Sequence, residues 1–166
     1  MVTTFVHATS TTHAFGEQPG REAAMAWPEA FKGELEGRLE RCRPEGKLSR
    51  RWAYYAFSSL ADAAAYLDAQ KVPTHDRRYY RVDMNVEHRA PMALASEVAG
   101  SYARIAAICT EYWSPTQPWQ MWEHLAKTMT ILEEIKAPDI IEMSLGLSHL
   151  TQDRIRLKQL FPPDSA

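Results

Sequence analysis

Arg51-Trp52-Ala53-Tyr54-Tyr55-Ala56-Phe57-Ser58-Ser59-Leu60-Ala61-Asp62 is the stretch on which the fold turns. Residues 51–57 are mostly aromatic or small and apolar, a composition that suits a half-buried strand. Alternation along that strand puts Tyr55 and Phe57 on one face and Trp52, Tyr54 and Ala56 on the other. The pattern then changes period. Ser59 can cap a helix from the position three residues before Asp62, as in a capping box with a shortened acid. The helix is predicted to run to about Gln70, with Leu60, Ala64 and Leu67 turned inward.

Outward from this junction, short strands and uneven helices alternate. Residues 3–8 are β-branched or aromatic and predict a strand. Residues 9–20 are rich in Ser, Thr, Gly and Pro and predict a loop. A helix is expected over 28–42, with Pro28 in its first turn and Phe31, Leu35 and Leu39 four apart. Residues 43–49 hold Pro44 and Gly46 and suggest a turn. Downstream, 72–76 predict a loop and 78–84 a third strand. A long helix is expected from Pro91 to Trp113, with Leu94, Val98, Ile105, Ile108 and Tyr112 on one face. Residues 119–126 fit neither period, 127–135 predict a strand, and 148–161 predict a closing helix. The expected class is α+β in a single domain over 1–166, because the regular strand–helix alternation of a doubly wound sheet is missing.

Composition narrows the function classes. A chain of 166 residues can bury one core, and a formal charge of -2 gives no global field to attract nucleic acid. No apolar run reaches the roughly 18 residues of a bilayer span. No charged-then-apolar leader is visible, so the expectation is cytoplasmic, or exported by a route that reads another address. Cys42 and Cys109 are too few for a disulfide framework and suggest a reducing compartment. Cys109 falls in an apolar helical pattern and reads as a core residue, whereas Cys42 lies among arginines. The histidines show no ligand spacing, so no metal site is expected. Neither a Gly-x-Gly-x-x-Gly fingerprint nor a phosphate-binding loop is present, nor a Gly-x-Ser-x-Gly elbow.

Several residues could carry chemistry, and each has a plainer reading. His7, with Thr9 and Ser10 beyond it, could hold a sugar hydroxyl or could bond a neighbouring backbone group. Tyr54 and Tyr55 could stack on a planar ring or pack in the core. Ser58 and Ser59 could bind a ligand or cap the helix. Glu123, between Trp122 and His124, could place negative charge in a site or lie on the surface. Glu111, near a helix end where the dipole disfavours it, is the competing carboxylate. Trp113, Trp119 and Trp122 could wall a pocket or anchor a loop.

In this order, the segments resemble the ADP-ribosyltransferase superfamily, in its His–Tyr–Glu branch. Phe5-Val6-His7-Ala8-Thr9 is similar to the first strand of small bacterial rifampicin ADP-ribosyltransferases. Tyr55-Ala56-Phe57-Ser58-Ser59-Leu60 resembles the family's strand–turn–helix, Tyr79-Tyr80-Arg81-Val82 its next core strand, and Trp122-Glu123-His124-Leu125 its late Glu-x-Leu segment. The resemblance covers scattered pieces of residues 3–135. It departs where Ala56 holds the place of the family's tyrosine and Ala8 that of a frequent glycine. A looser resemblance, carried by Tyr112-Trp113 before the Glu-x-Leu, is to small uncharacterised bacterial domains.

The resemblance implies a split sheet with flanking helices around a cleft for NAD as substrate. It implies that His7 orients the ribose, that Tyr55 or Tyr54 stacks on nicotinamide, and that Glu123 stabilises the cationic centre. Thr9, Ser58 and Ser59 would add contacts. The acceptor would be a protein, a nucleic acid or a small molecule, in the setting of a toxin, an effector or a phage modifier. Two alternatives stand beside it: a non-enzymatic interaction protein on the same scaffold, and an unrelated α+β enzyme using Glu111 and Cys42.

Overall fold

A computed structural model of the chain describes residues 4–16, 35–95 and 100–165. The elements in chain order are β1 (Thr4–Thr9), α1 (Leu35–Arg41), β2 (Tyr54–Phe57), α2 (Leu60–Ala69), β3 (Arg78–Met84), β4 (His88–Pro91), α3 (Tyr102–Trp113), β5 (Trp122–Ala126), β6 (Met129–Ile135) and α4 (Ile140–Leu160). Short 3₁₀ turns occupy Arg50–Trp52, Thr74–Asp76 and Met92–Ala95. Mixed strands and helices of this kind make an α+β architecture. The expected helix residues 28–34, loop residues 17–20, strand residue Thr3 and helix residue Val98 lie outside the described residues.

The strands form one antiparallel sheet in the order β4-β5-β2-β1-β3-β6. Its two halves are well paired. β1 registers with β3 from Thr4↔Asp83 to Thr9↔Arg78, and β2 with β5 from Tyr54↔Ala126 to Phe57↔Glu123. Between β1 and β2, however, the register holds only at Val6↔Phe57. The halves therefore form one sheet, joined at a narrow waist.

Residue alternation gives the sheet two distinct faces. Ala8, Phe57 and Tyr79 pack under the small residues Ala63, Ala64 and Ala65 of α2, with Leu150 of α4 in the same cluster. Phe5, Ala56, Tyr80, Val82, Ala126 and Ile131 form a second core on the other face. Small side chains let α2 and α4 approach closely. A Cβ built on Gly146 would lie 1.9 Å from the Ala61 carbonyl oxygen. The helices are joined further by His149 Nδ1 and Asp62 Oδ1, 2.8 Å apart.

Several expected boundaries shift for identifiable reasons. Ser59 caps α2 as predicted, accepting from Asp62 N, but the Asp62 carboxylate turns to His149 and does not complete a capping box. The strand over 51–57 begins only at Tyr54, because Ser49 caps a 3₁₀ turn over Arg50–Trp52. The long helix from Pro91 is not formed. Pro91 ends β4, an edge strand where a missing N–H is tolerated, and α3 starts at Tyr102 under a Ser101 cap. Trp122–Ala126, which fitted neither period, is β5. The closing helix begins at Ile140, eight residues earlier than expected, because Asp139 and Glu142 form a full capping box.

The α2–α4 contact gives a direct test. Gly146→Ala should destabilise the fold by about 3 kcal/mol, since the new methyl must displace backbone and not a flexible side-chain end. Urea unfolding of the two proteins measures the difference.

Candidate functional site

The waist of the sheet separates the residues expected to act together. Phe57 and Glu123 are register partners, so Tyr55, Phe57 and Glu123 share the helix-covered face. His7 pairs with Tyr80, a residue of the opposite core, so His7 lies on the far face with Phe5, Tyr54 and Ala56. The triad His7–Tyr55–Glu123 is not assembled on one face. Tyr54 is the tyrosine that shares the face of His7.

On the helix-covered face, Glu123 is bound within a polar network. Arg50 Nη1 donates to Glu123 Oε1 and to the Tyr112 hydroxyl, and Tyr112 donates to the same Oε1 at 2.5 Å. Arg50 Nε and Nη2 donate to the two Glu36 oxygens at 2.6 and 2.7 Å. The Tyr55 hydroxyl donates to the Arg50 carbonyl at 2.5 Å, and its ring lies under the guanidinium at 4.9 Å. Arg50, Tyr112 and Glu123 are all buried. Burial pushes the Tyr55 and Tyr112 phenols up, and Glu123 next to Arg50 keeps the guanidinium charged. Glu123 is thus buried, with its Oε1 committed to Arg50 and Tyr112.

His7 bridges the waist. Its Nδ1 lies 2.8 Å from the Tyr55 carbonyl, beyond the point where the β1–β2 register stops. A carbonyl can only accept, so Nδ1 carries the proton. Burial lowers the His7 pKa, and the His13 ring with its centroid 6.0 Å away adds to this. The imidazole is therefore neutral, and Nε2 presents a lone pair. No hydrogen bond to Nε2 occurs among the described residues. Beside it, His13 N donates to the Tyr80 hydroxyl at 2.9 Å.

The remaining candidates have local partners. Thr9 Oγ1 accepts from Thr11 N, and Ser59 caps α2. Ser58 Oγ lies 2.7 Å from His124 Nε2, whose ring packs on Phe5 at 4.7 Å. Ser58 and Ser59 line an open groove of about 480 Å³ with Thr4, Phe5, Arg81 and Lys136, and none of His7, Tyr55 and Glu123 reaches it. Glu111 is structural. It accepts from Thr116 N, Thr116 Oγ1, Gln117 N and Trp119 Nε1, so it anchors the loop after α3. The tryptophans are anchors as well: Trp113 Nε1 donates to the Leu39 carbonyl and Trp122 Nε1 to the Trp119 carbonyl.

Arg50 and His124 were not foreseen. Arg50 sits inside the basic stretch Lys47–Arg51, where nothing local distinguishes it from its neighbours. His124 follows Glu123 directly, and only strand alternation separates their faces. The described residues contain no group of three or more His, Cys, Asp or Glu side chains arranged to hold a metal. No described helix is long and apolar enough to cross a membrane. No family model and no curated protein matches the chain.

Three outcomes follow from these buried groups. Glu123→Gln leaves Arg50 in the interior with only Glu36 to neutralise it and should cost about 3 kcal/mol. Tyr112→Phe removes one hydrogen bond and should cost about 1–2 kcal/mol. Chemical denaturation measures both. The third outcome concerns pH. Burial is the main cause that lowers His88 and His124 to about 4, from 6.5, with Lys47 and Arg50 adding to it at His88 and Arg89 at His124. The unfolded chain binds these protons first, so stability is retained above pH 6.5 and lost as pH falls toward 4. Near pH 5 the slope of stability against pH should correspond to about two protons taken up on unfolding.

Proposed function

We propose that the wedge between β1 and β2 holds the nicotinamide–ribose end of NAD, and that the chain transfers ADP-ribose from it to an acceptor. The observation that carries this reading is the fixed tautomer of His7. Its Nδ1–H is committed to the Tyr55 carbonyl, so Nε2 is an acceptor for a ribose hydroxyl. His7 also stands at the narrow waist, where the β1–β2 register holds only at Val6↔Phe57. Tyr54, on the same face as His7, is the ring assigned to nicotinamide.

The reaction breaks the bond from ribose C1′ to the pyridinium nitrogen. The electron pair goes to the ring, so nicotinamide leaves neutral and needs no strong acid. The acceptor's nucleophilic atom bonds to C1′ and gives up its proton. Tyr55 and Glu123 serve this site indirectly: with Arg50 they hold β2 and β5 in place.

One observation favours a second reading, a non-enzymatic binding module on the same scaffold. The carboxylate that would stabilise a cationic C1′ is tied to Arg50 on the other face. The two readings differ in whether nicotinamide is produced.

His7→Asn separates the roles of the imidazole. The Asn amide can still donate to the Tyr55 carbonyl, so stability should change by less than about 1 kcal/mol. It offers no acceptor where Nε2 stood, so nicotinamide release should fall about 10²-fold. Chromatography of NAD incubated with the protein, with and without cell lysate, gives the measurement. NAD binding without release supports the module, and neither binding nor release overturns both readings.

A further inference from the structure

The two cysteines, 67 positions apart in the sequence, meet at one backbone carbonyl. Cys42 follows α1 directly, and its N–H donates to the Arg38 carbonyl at 3.1 Å. Cys109, in α3, directs its Sγ to that same oxygen at 3.9 Å. The next carbonyl, Leu39, accepts from Trp113 Nε1 at 3.0 Å, so α1 is seated on α3 at two consecutive residues. Leu39, Cys109 and Trp113 share one buried cluster. Both thiols are free, with Cys42 exposed and Cys109 buried.

We propose that Cys42 and Cys109 form a reversible oxidation site, in which a small-molecule disulfide oxidises the pair to an intrachain crosslink between α1 and α3. The site reads as an entry thiol and a resolving thiol. Cys42 is open to solvent at the end of α1, so it is the thiol a disulfide oxidant can reach. Cys109 is shielded from any bulky oxidant. Its thiol is pushed up to about 12, by burial first and then by the adjacent Cys42 sulfur. It therefore reacts only with what is delivered to it, and at neutral pH it does so slowly.

The electrons balance in two exchanges. The Cys42 thiolate attacks one sulfur of the oxidant, whose S–S bond breaks and releases a first thiolate. The Cys109 sulfur then attacks Cys42 Sγ, forms the protein disulfide and expels the second thiolate. The two thiolates take up the protons lost by the cysteines. The oxidant's two sulfurs are reduced and the protein's two are oxidised.

The crosslink has a structural consequence. α1 carries Glu36, whose two oxygens hold Arg50, and Arg50 holds Glu123. Oxidation would fix to α3 the helix that supplies this counter-charge. None of this rests on the proposed transferase reading.

The test is exposure of the folded, full-length protein to oxidised glutathione, followed by intact mass and peptide mapping without reductant. The wild type should lose about 2 Da, as one protein disulfide forms. It should yield a Cys42–Cys109 linked peptide that a dithiol reductant reverses. Cys109→Ser should stop at a glutathione adduct on Cys42, and Cys42→Ser should remain unmodified. A wild type that accumulates the Cys42 adduct as Cys109→Ser does, that dimerises through Cys42, or that does not react would overturn the proposal.

Discussion

A single buried guanidinium organises this molecule. Arg50 reaches from a 3₁₀ turn to Glu36 on α1, Glu123 on β5 and Tyr112 on α3, while its carbonyl receives the Tyr55 hydroxyl from β2. A charge taken out of water is tolerated only when its partners are complete. The packing of four elements is thus tied to one geometry. Ser49, which caps that turn and donates to Glu40 at 2.9 Å, ties the turn back to α1. The arrangement specifies where the helices sit on the sheet. Its net contribution to stability is a smaller matter, since desolvation offsets much of the attraction.

The consequence is a division of labour between the two faces of the sheet. The Arg50 network and the helices gather on one. The other carries His7, Tyr54 and His124, with Arg89 stacked over Trp122 at 4.3 Å. His7 joins the two half-sheets, because its backbone lies in β1 and its Nδ1 closes the gap to β2. That bond does for the waist what a further ladder pair would do, and it leaves the other ring nitrogen available. Burial lowers the His7 pKa, while the Tyr55 carbonyl, which opposes that shift, fixes which ring nitrogen carries the proton.

Local structure was legible where the signals were local. The change of period at Ser59 located β2 and α2, and 78–84 located β3 in full. The α4 start was also written in the chain, as Asp139 and Glu142 three apart. Pro91 misled because a proline fits a helix start and an edge strand equally well, and only the sheet order distinguishes them. The candidate site was half legible. His7, Tyr54, Ser58 and Glu123 were all picked out by residue type, but the face on which each lies depends on register across the waist. Register is a tertiary property. Arg50 was illegible for the same reason: three arginine or lysine positions fall within residues 47–51, and only packing selects one for burial.

The central claim is that His7 is held as the Nδ1–H tautomer with an Nε2 acceptor that a dinucleotide engages. Nitrogen-15 NMR of the imidazole, without and with NAD, tests it most directly. The account predicts a protonated Nδ1 and a bare Nε2 in the free protein, with the Nε2 resonance moving as NAD is added. A free-state Nε2–H tautomer, or an Nε2 signal indifferent to saturating NAD, would contradict it.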